Sequence, residues 1–257
     1  MIFSTQPSTW KDLQDRVCQI LKQCGYYAES PKEIYTARSS KLEVDVYAED
    51  TSIHHQVIIC ECKCWNSNIP QSVVHAFRAQ LDDIGANLGL LISKNGFQPG
   101  AVDAARFTNI KLLSWKEFEA LYQPLWYKKY FLLRVDEICD AFIEYNEPIN
   151  SRIFKKADAL AIDRRQRFID LRGKHIAMCT LCSSLSATYY RAAMQHNFNS
   201  VQQLSLPLSK NIEYKQLANY LDNRIRSTEF YLEFLDLIEE YVTNALAEFD
   251  DVFGERA

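Results

Sequence analysis

Three residues on two neighbouring stretches of the chain have the types and spacing for phosphate chemistry. In Glu61-Cys62-Lys63 a carboxylate and an ammonium lie two positions apart, and on a strand such residues share a face, while Cys60, Cys62 and Cys64 share the other. Asp45 belongs to Lys41-Leu42-Glu43-Val44-Asp45-Val46-Tyr47, which alternates strictly between apolar and polar and so predicts a strand. If the two strands pair antiparallel through the intervening turn, Asp45 sits beside Glu61, and two carboxylates converge with one lysine. Carboxylate oxygens are hard ligands suited to Mg²⁺, and a lysine supplies a point charge for a phosphate or its transition state. The bland alternative is the charged outer face of a half-buried sheet. Against it, Val57-Ile58-Ile59-Cys60 is apolar on both faces, and charges in such a doubly covered strand are costly unless they pair or bind something.

The elements that must position these residues follow from periodicity. Trp10, Leu13, Val17, Ile20 and Leu21 have helical spacing, and Gly25 stops that helix. Pro70 opens a second helix with Val73, Val74, Phe77, Leu81 and Ile84 as its core stripe. Leu88 to Ser93 is an apolar run of strand length closed by the turn dipeptide Asn95-Gly96. A helix from Pro99 to Phe107, a strand from Ile110 to Leu113 and a capping box at Ser114-Trp115-Lys116-Glu117 follow. This alternation predicts an α/β domain with a central mixed sheet flanked by helices. Beyond Gln123-Pro124 the chain reads as helical. Helices are expected from Trp126 to Glu147, Ile153 to Leu171, Ile176 to Phe198, Tyr214 to Ile225 and Thr228 to Phe249, an all-α bundle. The expected domains are therefore 1–124 and 125–257.

In this order the motifs resemble the D…(D/E)xK site of the restriction-endonuclease-like superfamily, and within it the Mrr-type restriction endonuclease domain, over roughly residues 8 to 120. The resemblance is carried by Gly25-Tyr26 after the first helix, Asp45, Glu61-Cys62-Lys63-Cys64-Trp65 and Val74-His75-Ala76-Phe77. Leu88 to Phe97, Ala101 to Ala105 and Ile110 to Leu113 continue it. It implies that Asp45, Glu61 and the backbone carbonyl of Cys62 ligate Mg²⁺ (or Mn²⁺), while Lys63 orients or activates the attacking water. The family often carries a Glu in the first helix where this chain has Gln14, which leaves the number of metals open. Gln71 is a further candidate for touching the site or a DNA backbone, with ordinary helix-start chemistry as its alternative. The implied function is a Mg²⁺-dependent endodeoxyribonuclease in restriction or anti-phage defence. A duplex cut needs two sites, so a homodimer is expected, with a partner defence protein as a further possibility. A structure-selective or RNA-directed nuclease and an inactive nucleic-acid-binding module are the alternatives.

Competing constellations are weaker. Alternating cysteines at 60, 62 and 64 and the pair Cys179-x-x-Cys182 have soft-metal spacing, yet one CxxC without a second pair is a poor signal. His54-His55 and His75 are candidates to join such a site, but read more simply as surface or capping residues. No Walker A loop, GxGxxG or GxSxG occurs.

The whole-chain charge of −4, from 29 Lys+Arg against 33 Asp+Glu, excludes nucleic-acid binding by gross charge. Locally, Ser151 to Arg191 holds nine basic and three acidic residues, a net of +6, whereas the tail from Ala192 has a net of −6. Arg152, Lys155, Lys156, Arg164, Arg165 and Arg167 are thus candidate nucleic-acid contacts, with charge neutralisation inside a bundle as the alternative. Tyr189-Tyr190 is a candidate for base stacking. The absence of a long apolar run and of a basic, apolar N-terminus predicts a cytoplasmic protein with eight reduced cysteines.

Overall fold

Residues 1–36, 41–51, 55–146, 151–194 and 201–254 are described by a computed structural model. The chain divides into two compact units, Thr5–Lys129 and Tyr130–Ala257, the latter joined by Met1–Ser4.

In the first unit, α1 (Trp10–Gln23) starts where Thr9 Oγ1 accepts from the Asp12 N–H and ends at Gly25, whose φ of 92° is left-handed. Leu13, Val17, Ile20 and Leu21 are buried, but Trp10 at the first helical position is exposed. Five strands form the central sheet in the order β1 (Tyr27–Glu29), β4 (Val46–Glu49), β5 (Val57–Lys63), β6 (Leu88–Ser93), β7 (Ile110–Ser114). The first two pairings are antiparallel, and β5, β6 and β7 run parallel. Crossovers α2 (Gln71–Ile84) and α3 (Pro99–Ala105) link the parallel strands, as parallel pairing requires. The capping box at Ser114 and Glu117 opens α4 (Trp115–Trp126) as expected.

The strand expected over 41–47 is broken at Asp45. Its first half, β3 (Lys41–Val44), pairs with β2 (Lys32–Tyr35) in a separate two-stranded ribbon, and only its second half joins the main sheet as β4. Ile59 and Leu91 point to the α2–α3 side with Val74, Phe77, Leu81 and Ala101. Cys60, of opposite parity, lies near Cys18 of α1 and Tyr122 of α4.

Pro124 lies inside α4, which continues through a π-helical turn (Tyr127–Phe131) into α5 (Leu132–Asn146). Two helical expectations need correction. The break between 171 and 176 does not exist: α6 (Ser151–Asp158) ends at 159–161, where the N–H groups of Ala159 and Leu160 bond back three residues, and α7 (Ile162–Met194) runs unbroken. The helix expected over Tyr214–Ile225 is instead a 3₁₀ turn (Leu217–Tyr220) and the short α8 (Asn223–Ser227). The side chains of Asn211 and Asp222 accept from the following N–H groups there and restart the chain twice. Among the described residues no helix is long and apolar enough to cross a membrane.

α7 packs on α5 and on α9 (Tyr231–Phe253). At their centre the buried His175 makes two bonds, Nδ1 to Tyr241 Oη (2.8 Å) and Nε2 to Glu248 Oε2 (3.2 Å). An ionised carboxylate only accepts, so Nε2 carries the proton and Nδ1 accepts from the tyrosine, which is the neutral imidazole. Burial holds the His175 pKa below its ordinary 6.5; Lys174 acts in the same direction and Glu248 against it. The unfolded chain therefore binds the proton first as pH falls. Stability from this group is complete above about 6.5 and is lost on acidification through the lowered native value. Thermal denaturation between about pH 7 and 5 is expected to show a falling midpoint for the wild type and a shallower slope for His175→Asn. Equal slopes would show that His175 does not drive the dependence.

Candidate active site

The bend at Asp45 places its carboxylate against the site strand. Asp45 Oδ2 accepts from the backbone N–H of Cys62 at 2.7 Å, and its carbonyl accepts from Ser30 Oγ at 2.8 Å. One step beyond the Val46–Cys60 pair of the antiparallel ladder, Asp45 stands opposite Glu61. The Glu61 carboxylate is ion-paired with Lys63 Nζ, and both side chains are largely buried, at 17% and 20% exposed. Lys63 Nζ also lies 5.9 Å from the centre of the Trp65 ring. The three polar groups singled out by alternation thus meet at the carboxyl end of β5, two residues from where the strand stops.

Burial raises the Glu61 carboxyl above its ordinary 4.5, and the Asp45 charge adds to this, while Lys63 opposes both. Two carboxylates stand opposite each other on neighbouring strands and a single lysine is paired with one of them, so the corner is short of positive charge. Mg²⁺ commonly takes one or two carboxylates and keeps several waters. The donor set therefore fits that ion, although no group of three or more His, Cys, Asp or Glu side chains converges among the described residues.

Gln14 is fully buried on α1, and neither atom of its amide has a hydrogen-bond partner, so it is not bonded to Asp45, Glu61 or Lys63. Gln71 opens α2, exposed, with Nε2 at 2.9 Å from His75 Nε2 and its side chain beside Gly100. Ser30 escaped the sequence reading because no motif marks it; only the course of the chain from β1 to β2 brings it to Asp45. It also lines an open cavity of about 410 Å³ with Asp15, Cys18, Gln19 and Lys22.

The competing sites are not assembled. Burial raises the thiols of Cys60 and Cys62, which makes them unreactive core residues. Cys179 and Cys182 are buried in the bundle, with Cys182 against Cys139. His55 bonds Glu49, whereas His54 lies outside the described residues. Of the candidate nucleic-acid contacts, Arg152 pairs with Glu144, Arg165 with Asp158 and Arg167 with Asp251, as bundle neutralisation requires. Lys155, Lys156 and Arg164 are exposed and form no ion pair among the described residues. Tyr189 and Tyr190 contact each other edge to face, and Tyr190 is exposed.

A family model described as restriction endonuclease, Mrr_cat, matches residues 6–122. The curated proteins contain no significant match. A crystal structure of a protein of unknown function, AF1548, is similar at 16% identity and a TM-score of 0.39, covering 65% of this chain and 98% of that one. A likeness at that level carries no argument. Residues 6–122 of this chain are a restriction endonuclease domain of the Mrr_cat family.

Proposed function

We propose that the chain is a Mg²⁺-dependent endodeoxyribonuclease that hydrolyses DNA phosphodiester bonds in restriction or anti-phage defence. The observation that supports this most is the seating of Asp45 on the Cys62 N–H, opposite the Glu61–Lys63 pair, inside the family-matched region. Asp45, Glu61 and the Cys62 backbone carbonyl would hold Mg²⁺, or Mn²⁺ in its place. When bound, the ion would supply charge neutralisation at the phosphate and make the attacking water more acidic. Lys63 holds the attacking water in line by donating to it, and its charge stabilises the negative charge that builds on the phosphoryl oxygens. The Cys62 N–H fixes one Asp45 oxygen, so the carboxylate is oriented before any substrate arrives. Gln14 and Gln71 are accessory candidates, and Lys155, Lys156 and Arg164 are the basic side chains left to meet a phosphate backbone. A duplex cut requires two such sites, so the working form is a homodimer.

The test is a cleavage assay over duplex, branched and single-stranded DNA and over RNA, with Mg²⁺ or EDTA, using Lys63→Ala as the control against contaminating nuclease. Cleavage of DNA that needs both the metal and Lys63 is the expected outcome. Cleavage confined to RNA would move the substrate class, and activity unchanged in EDTA would reject the metal.

A further inference from the structure

The long helix α7 carries a second face that its own bundle does not use. Its inner face is buried against α5 and α9 through residues such as Phe168, His175, Met178 and Leu185. On the opposite side Ile162, Ile169, Ile176, Ser183 and Tyr190 recur at intervals of seven. Each is followed four residues later by another uncharged residue: Gln166, Gly173, Thr180, Ala187 and Met194. The large apolar members are in the open: Ile162 is 89% exposed, Ile169 49%, Ile176 54%, Tyr190 57% and Met194 82%. Scattered surface apolar residues need no explanation, but a stripe at a strict seven-residue repeat is the pattern by which one helix packs along another.

Two further observations point outward. Gly173 sits exposed in the middle of the 33-residue helix, where glycine costs about 0.5–1 kcal/mol relative to alanine. A Cβ added there would meet nothing within 4 Å, so the chain's own packing does not require the glycine; a close approach by another backbone would. The polar members are also satisfied within the helix. Thr180 Oγ1 donates to the Ile176 carbonyl at 2.8 Å and Gln166 Nε2 to Asp170 Oδ1 at 2.9 Å, so covering the stripe leaves little unpaired.

We propose that a second copy of this chain covers the stripe, α7 lying antiparallel on α7 about a two-fold axis at Ile176. The size is adequate. At roughly 150–250 Å² for a large side chain, the five apolar residues present on the order of 600 Å². With their small and polar neighbours the stripe comes close to the roughly 800 Å² per partner that a specific complex buries. Size decides the direction. Antiparallel pairing about Ile176 sets Ile169 opposite Ser183 of the second copy, large against small, whereas parallel pairing would set Ile169 on Ile169 and leave a gap where Ser183 meets Ser183. The basic residues between Asp163 and Lys174 do not choose for it, because Arg165, Arg167 and Lys174 are paired with Asp158, Asp251 and Glu248 of their own unit. The pairing is built on the helical unit and supplies the homodimer that the proposed duplex cut requires; a dimer that survives Ile176→Glu and still cleaves with Mg²⁺ and Lys63 would overturn the pairing and leave the nuclease reading standing.

The mass of the full chain in solution, from light scattering and sedimentation, is expected to be twice the 29.9 kDa of one copy. Ile176→Glu, which sets two like charges on the axis, is expected to weaken pairing by at least about 100-fold with an unchanged circular dichroism spectrum, and to give a thermal midpoint that no longer rises with protein concentration. Thiol cross-linking in a Cys64→Ser background gives the direction: Ile176→Cys joins to itself, and Ile162→Cys joins only to Tyr190→Cys of another copy. A chain that stays monomeric up to its solubility limit, whatever other protein then occupies the stripe, overturns the proposal. So does a dimer that survives Ile176→Glu, or self-joining of Ile162→Cys.

Discussion

Asp45→Asn is expected to lower DNA cleavage by at least about 100–1000-fold while moving the thermal midpoint by no more than about 2–4 °C. The amide is the same size as the carboxylate, and its carbonyl oxygen still accepts from the Cys62 N–H that Asp45 holds at 2.7 Å. What it loses is the charge a cation would answer. It also removes the second anion that pushes the Glu61 carboxyl upward, so the Glu61–Lys63 pair is retained and eased. Asp45→Ala differs in a way that separates chemistry from folding. It leaves the Cys62 N–H without its acceptor, which costs about 1–3 kcal/mol on top of the lost activity. Initial cleavage rates under Mg²⁺, measured beside thermal melts of both variants, check this. An Asn variant that cleaves within a few-fold of the wild type would remove Asp45 from the reaction.

Phe77→Ala is expected to destabilise the first unit by about 3–5 kcal/mol. The ring is 2% exposed on α2 and packs where β6 has Gly89. A Cβ built on Gly89 would come within 2.4 Å of Leu81 Cδ1 and 2.9 Å of Phe77 Cε1, so the two helix side chains occupy the space a residue on β6 would otherwise fill. Removing the ring leaves a void that a glycine cannot collapse into. Gly89→Ala alone overpacks the same spot, at about 1–3 kcal/mol. Combined, the added methyl takes part of the space the ring vacates, so the double variant is less destabilised than the two single effects added together. Urea denaturation of the three variants tests this; strict additivity would mean that α2 does not rest on Gly89. The consequence reaches the site, because α2 and β6 hold β5 from one side, and Glu61 and Lys63 are on β5.

The sequence was most informative where a period of two or of 3.6 could be read without knowing the partner. Glu61 and Lys63 share a face because the strand period is two, and the apolar run before them marked β5 as covered on both sides, as its buried Ile58, Ile59 and Cys60 bear out. It was least informative where the pairing partner decided the outcome. Lys41 to Val46 alternates without interruption, yet its first half pairs with Lys32–Tyr35, a short, half-exposed strand with little pattern of its own. α7 shows the same limit in helical form. It is apolar on two opposite faces, so no single stripe announces one continuous helix, and a mid-helix glycine reads as a break.

By its residue types and spacing alone, the chain determined that two carboxylates and a lysine would be available on adjacent strands of an α/β domain followed by a helical bundle. Both follow from local periodicity, which depends only on backbone geometry. The tertiary structure alone decided that the chain bends at Asp45 so that its carboxylate is received by the Cys62 N–H, that Ser30 secures the bend, and that Arg167 spends its charge on Asp251. These depend on which distant segments meet, and a hydrogen bond or ion pair between residues far apart in the chain leaves no period in the sequence.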